Sequence, residues 1–169
     1  MLTAAGTGQA AADDGSTLLV TTQGAICLEI ENSSKSNGAL AQQWSCKGQP
    51  GAEWKFVEVS GSGDDTLYQL VNVNSGKCLE IADSRTDYGA PIQQWTCVKG
   101  LATQQWRYYN LVLANNNGSY ATVVKGDDGW ASRKNGARVV NGPSSTWHQW
   151  DPADRPISVV DESKPRRAR

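Results

Sequence analysis

An all-β domain assembled from three repeats is the fold class that this sequence predicts, and three observations carry it. The segment CLEIENSSKSNGALAQQWSC, residues 27–46, aligns without a gap on CLEIADSRTDYGAPIQQWTC, residues 78–97, with eleven of twenty positions identical at an offset of 51. Short β-branched or aromatic runs bounded by Gly, Asn, Asp and Ser recur along the chain. No stretch of eleven or more residues shows the i, i+3, i+4 apolar stripe of a helix.

Taken in order, the first repeat opens on LLV (residues 18–20) and continues through CLEI (27–30) to Trp54. The second opens on YQLVNV (68–73), with Leu70 and Val71 over Leu19 and Val20, passes through its own CLEI (78–81) and closes at Trp106, one residue later than the offset alone would place it. RYYNLVL (107–113) leads into a third, degenerate repeat that closes at Trp150. There Tyr120 stands where Cys78 stood and Thr122 where Glu80 stood, and the counterpart of Trp95 falls near Val139. The repeats run over about residues 16–57, 66–109 and 110–151, within a domain at 16–155. Residues 1–15 read as a flexible leader and 156–169, ending in KPRRAR, as a solvated tail. Three β-rich repeats predict a closed threefold architecture, since closure removes the sheet edges at which chains otherwise associate.

Composition narrows the function. Of 169 residues, 16 are basic and 17 acidic, with no basic stripe, which argues against a nucleic-acid partner. Hydrophobic residues make up 38% and no run approaches the length of a transmembrane helix, which argues against membrane insertion. The first fifteen residues lack the basic and apolar regions of a signal peptide. The four cysteines are not spaced as metal ligands, and no nucleophile-elbow, zinc-protease or phosphate-loop motif occurs, so no cofactor is implied. Glu29 and Glu80 occupy equivalent positions in different repeats, too far apart for the paired carboxyls of a glycosidase, so the chain reads as no enzyme.

Cys-x-Glu, then GAPIQQW-x-C, then QQW resembles the ricin B-type lectin repeat, over residues 16–150. That family overlaps with the carbohydrate-binding modules found beside bacterial glycosidases. The resemblance implies a β-trefoil with three pseudo-repeats, the third degenerate, and up to three shallow sugar pockets. It assigns the pocket acid to Glu29 and Glu80, where the family usually has Asp, and the stacking aromatic to Trp44 and Trp95. The glutamine of the closing Q-x-W becomes Gln104 in the second repeat, Ala52 in the first and His148 in the third. By that pattern the second pocket is complete, the first impaired and the third lost. The competing expectation is that Glu53 or Gln49 substitutes for the missing amide of the first.

These residue types suit a hexose. A flat indole covers the C–H face of the sugar, a carboxylate accepts from two neighbouring hydroxyls, and an amide orients that carboxylate or completes the rim. CLEI alternates, so Leu28 and Ile30 share one face while Glu29 lies on the other with Cys27. Asn32 and Asp83, three residues after each acid, either shape a turn or reach the pocket. Tyr88, before Gly89, either contacts ligand or serves the turn. Trp54, Trp106 and Trp150 are assigned to the core.

The repeat makes Cys27–Cys46 and Cys78–Cys97 the expected disulfides, each local and equivalent to the other. Such bonds imply an oxidising compartment and hence a secreted protein. The expected partner is a mono- or polysaccharide of galactose or xylose type, with a tethered or associated enzyme or toxin subunit. The alternative is a β-trefoil whose surface binds protein, as an inhibitor or adaptor.

Overall fold

Alternation in the two CLEI segments sends Leu28, Ile30, Leu79 and Ile81 inward, and all four are buried. In the computed structural model, which describes residues 15–21, 26–143 and 149–153, each repeat contributes four strands. The first holds β1 (Ser16–Thr21), β2 (Ile26–Ile30), β3 (Ala41–Ser45) and β4 (Glu53–Ser60). The second holds β5 (Leu67–Asn72), β6 (Cys78–Ile81), β7 (Ile92–Trp95) and β8 (Trp106–Tyr109). The third holds β9 (Val112–Asn115), β10 (Tyr120–Val123), β11 (Val139–Gly142) and β12 (Trp150–Ala153). The leader up to residue 14, the tail from residue 154, Trp147 and His148 lie outside the described residues.

All ladders are antiparallel. The outer strands join in the order β12, β1, β4, β5, β8, β9. Their register carries the threefold symmetry: Trp54 faces Asn72, Trp106 faces Asn115 and Trp150 faces Thr21. The inner pairs β2–β3, β6–β7 and β10–β11 form three hairpins. Isolated bridges Leu40–Gln93, Pro91–Val140 and Gln42–Arg138 tie these hairpins to one another in a ring.

The expected full closure is not seen among the described residues, where no ladder joins β9 to β12. Leu111, at φ 64°, still belongs to the turn after β8, so β9 begins too late to make a ladder with β12. The seam is held instead by a backbone bond from Trp150 N to Leu111 O at 2.6 Å and by Tyr108, whose hydroxyl donates to Trp150 O at 2.6 Å.

The core repeats three times. Leu19, Leu70 and Leu113 form one set of buried equivalents, and Ile30, Ile81 and Val123 another. Trp54, Trp106 and Trp150 are fully buried, as expected. A buried indole N–H needs an acceptor, and the three find equivalent ones: Leu28 O at 3.0 Å, Leu79 O at 2.9 Å and Ala121 O at 3.3 Å. Cys27–Cys46 and Cys78–Cys97 are the two disulfides, with Cα atoms 5.2 and 5.0 Å apart. Each ties the first strand of an inner hairpin to the end of the second.

Candidate functional site

Hairpin register brings the acids to their partners. Glu29 on β2 faces Gln42 on β3, and Glu80 on β6 faces Gln93 on β7. Gln42 Nε2 donates to Glu29 Oε1 at 2.9 Å, and Gln93 Nε2 donates to Glu80 Oε1 at 2.8 Å. Both glutamates are nearly buried, at 5% and 6% exposure. In the second repeat Gln104 Nε2 donates to the other oxygen, Glu80 Oε2, at 2.7 Å, and to Thr96 O at 3.0 Å. Gln104 Oε1 in turn accepts from Val98 N at 2.7 Å. Each carboxylate oxygen thus holds one amide and keeps acceptor capacity for another donor.

The first repeat was expected to lack the second amide, because Ala52 replaces Gln104. The structure supplies it from Gln49. Gln49 Nε2 donates to Glu29 Oε2 at 2.6 Å and to Ser45 O at 3.0 Å, and its Oε1 accepts from Lys47 N at 2.9 Å. These are the same three bonds that Gln104 makes. The residue comes from the start of the 3-10 turn Pro50–Ala52 rather than its end, while Ala52 is buried beside Leu18 and Cys27. Of the two substitutes weighed from the sequence, Gln49 takes the place.

The indoles differ in their covering. Trp95 is 42% exposed. Trp44 is half-buried, and Lys47 Nζ stands over its ring, 5.6 Å from the centroid. A cavity of about 170 Å³ lies among Glu29, Asn32, Ser33, Gln42, Trp44, Lys47 and Gln49.

Each indole is backed by a turn from another repeat. Asn37–Gly38 lies behind Trp95: Thr96 N donates to Asn37 Oδ1 at 2.9 Å, and Gly38 N donates to Gln94 O at 2.9 Å. Asn135–Gly136 lies behind Trp44: Ser45 N donates to Asn135 Oδ1 at 2.8 Å, and Gly136 N donates to Gln43 O at 2.8 Å. The glycines, at φ 82° in both turns, occupy the left-handed region that side chains disfavour. Gln43 and Gln94, beside the indoles, staple the hairpins across repeats. Gln94 Nε2 donates to Ser34 O and Ser36 O, and Gln43 Nε2 to Ser132 O and Lys134 O.

Asn32 and Asp83 both shape turns. They sit at φ 54° and 55°, where Asn and Asp are the tolerated non-glycine residues, and Asn32 also lines the first cavity. Tyr88 stands in the turn that reaches the third repeat. It lines a cleft against the third repeat, with Thr122, Trp130 and Val140. Its turn is braced by Arg85, whose Nε donates to Asp87 Oδ1 at 2.9 Å. That hydrogen bond holds the Asp87 carboxyl below its ordinary pKa.

In the third repeat the register moves the lost aromatic. Tyr120, at the first cysteine's place, faces Gly142, as Cys27 faces Trp44 and Cys78 faces Trp95. Gly142 therefore occupies the tryptophan position, and Val139 is instead the counterpart of the core residues Ala41 and Ile92. Thr122 stands for the acid and faces Val140 in place of an amide. Among the described residues no group of three or more His, Cys, Asp or Glu side chains converges to hold a metal.

Residues outside the sequence-based set therefore build much of the site: Gln42 and Gln93, the paired amides, and the two Asn–Gly turns. The doubled glutamine in both QQW copies was the available signal.

Residues 54–142 match the family described as ricin-type beta-trefoil lectin domain-like. No curated protein matches the chain. Among solved structures, the designed threefold-symmetric protein ThreeFoil is 31% identical, with a TM-score of 0.74 over 83% of this chain and 99% of its own. The exo-β-1,3-galactanase of Clostridium thermocellum is 23% identical, with a TM-score of 0.72 over 83% of this chain, and this chain spans 30% of it. The C-half of an earthworm R-type lectin, solved in complex with GalNAc, is 10% identical, with a TM-score of 0.62 over 82% of this chain and 97% of its own.

Proposed function

The chain belongs to the ricin-type β-trefoil lectin domain-like family, and from that premise we propose that it is a carbohydrate-binding module with sugar pockets in its first two repeats and no catalytic step. One observation carries the reading. Each of two nearly buried glutamates is fixed by two amides, one per oxygen, on a hairpin that also presents a tryptophan. An immobilised carboxylate with spare acceptor capacity suits two adjacent hydroxyls, and the neighbouring indole suits the apolar face of the same ring. Pre-fixing the carboxylate removes rotamer entropy that binding would otherwise cost.

The ligand we favour is of galactose type, in line with the galactanase and the GalNAc-bound lectin of the same fold. The second pocket is the principal one, because Trp95 stands open while Lys47 lies over Trp44. Shallow single-sugar pockets give a Kd of about 0.1–1 mM, near −4 to −5.5 kcal/mol. The disulfides fit an oxidising, extracellular setting, where such a module would serve an attached or associated enzyme. A glycan array followed by calorimetric titration tests the proposal. Binding of galactose-type sugars in that range is expected, and an array with no sugar bound would overturn it.

A further inference from the structure

The third repeat is rebuilt rather than merely stripped. Where the first two repeats hold acid, amide and indole, it holds Thr122, Val140 and Gly142. Into that vacated position opens a cleft of about 520 Å³, within the size range of ligand pockets. Its walls include Tyr88, Thr122, Val124, Trp130, Val140 and Pro143. We propose that this cleft is a third ligand site that takes an aromatic ring instead of a pair of sugar hydroxyls, a role independent of the sugar pockets.

Three changes point the same way. The turn behind the missing indole keeps its backbone contact, Gly89 N to Asn141 O at 2.7 Å, but its leading residue is Tyr88 where the other two turns have asparagine. Tyr88, 67% exposed, thus brings a ring to the position that has lost one. Next, the hairpin loop has grown. Thirteen residues separate acid from amide in the first two repeats, whereas 18 separate Thr122 from Val140. The extra length folds into a small turn, with Lys125 bridged to Ala131, that sets Trp130 at the rim with 56% exposure. Finally, Gly142 cannot regain a side chain cheaply: a Cβ there would overlap Thr122 Oγ1 and meet Thr122 Cγ2 at 3.0 Å.

The chemistry of the walls selects the ligand. Thr122 spends its one hydroxyl proton on Val140 O at 3.1 Å, and neither a carboxylate nor an amide stands at the positions of Glu80 and Gln93; Asn141, a side-chain amide in the lining, commits its Nδ2 to Asp87 O at 3.0 Å. A pair of sugar hydroxyls desolvated here would lack the carboxylate and amide that the first two repeats offer, which costs affinity. An aromatic ring carries no such hydroxyls on its faces and gains edge or face contacts with Trp130 and Tyr88.

The test follows the indole N–H signals of the full chain by NMR during titration with p-cresol, phenyl β-D-galactopyranoside or methyl β-D-galactopyranoside. p-Cresol and the phenyl galactoside should shift Trp130 saturably, and the methyl galactoside should leave it still. Tyr88→Ala, followed at the Trp130 signal, and Trp130→Ala, followed by calorimetric titration because it removes that signal, are both at exposed positions and should each weaken p-cresol binding by up to about tenfold, with the core indole signals unchanged. Methyl galactoside shifting Trp130 as tightly as the phenyl compound would overturn the proposal, as would p-cresol leaving Trp130 still or shifting every indole without saturation. Silence of Trp44 and Trp95 towards methyl galactoside counts against the sugar pockets alone.

Discussion

The first and second repeats make the same carboxylate clamp from different chain positions. In the second, Gln104 reaches Glu80 from the end of a 3-10 turn; in the first, Gln49 reaches Glu29 from the start of one. Three bonds of each glutamine match, and Gln104 Oε1 also accepts from Gln69 Nε2 at 3.5 Å, yet the two glutamines are not aligned. What is repeated is therefore the place of an amide nitrogen, not the identity of a residue. The real difference lies at the ring, where Lys47 stands over Trp44 and its counterpart in the second repeat is Val98.

Trp95→Ala should break the comparison most completely. It removes the stacking face of the second pocket, an expected loss of about 2–3 kcal/mol, and should take binding there below detection while Trp44 still responds. Indole-resolved NMR titration reads both pockets at once, and undiminished binding in the variant would remove Trp95 from the site.

The second amide of each clamp, Gln49 or Gln104, comes next. Gln49→Ala should weaken the first pocket and Gln104→Ala the second by similar amounts, about 1.5–3 kcal/mol or roughly 10- to 150-fold. If Gln49→Ala leaves the first pocket unchanged, the shared clamp has no role in binding. Ala52→Gln, which the aligned sequence would recommend as a repair, should instead give no gain in affinity. Ala52 is 1% exposed, so the larger side chain overpacks the site, at a cost of about 1–3 kcal/mol in denaturant unfolding. Lys47→Ala is the smallest effect. Freeing the Trp44 ring of a cation–π contact worth about 0.5–1 kcal/mol should strengthen the first pocket by roughly two- to fivefold. Lower affinity in that variant would make Lys47 a ligand contact instead of a cover.

The sequence made the repeats, the disulfides, the three core tryptophans and both glutamates readable, because each of these is fixed by local spacing. What it hid was whatever depends on reach or on another repeat. Gln49 lies three residues from the aligned position, and only the path of the turn carries its amide to Glu29. A count back from Trp150 reaches Val139 instead of Gly142 because the stretch from Gly142 to Trp150 is three residues shorter than that from Trp95 to Trp106, whereas strand register does not shift. Tyr88 sits in the second repeat by chain position and lines the third by packing. The open seam also escaped, since it turns on where a left-handed turn at Asn110 and Leu111 lets β9 begin.

The cross-repeat turns carry a consequence for the autonomy of a single repeat. The second pocket rests on Gly38 of the first repeat, the first on Gly136 of the third, and the third cleft on Tyr88 of the second, so support passes round the molecule in one direction. A single repeat taken alone would hold an acid and a ring with nothing behind them, so a backed ring is a property of the threefold assembly and not of any one motif.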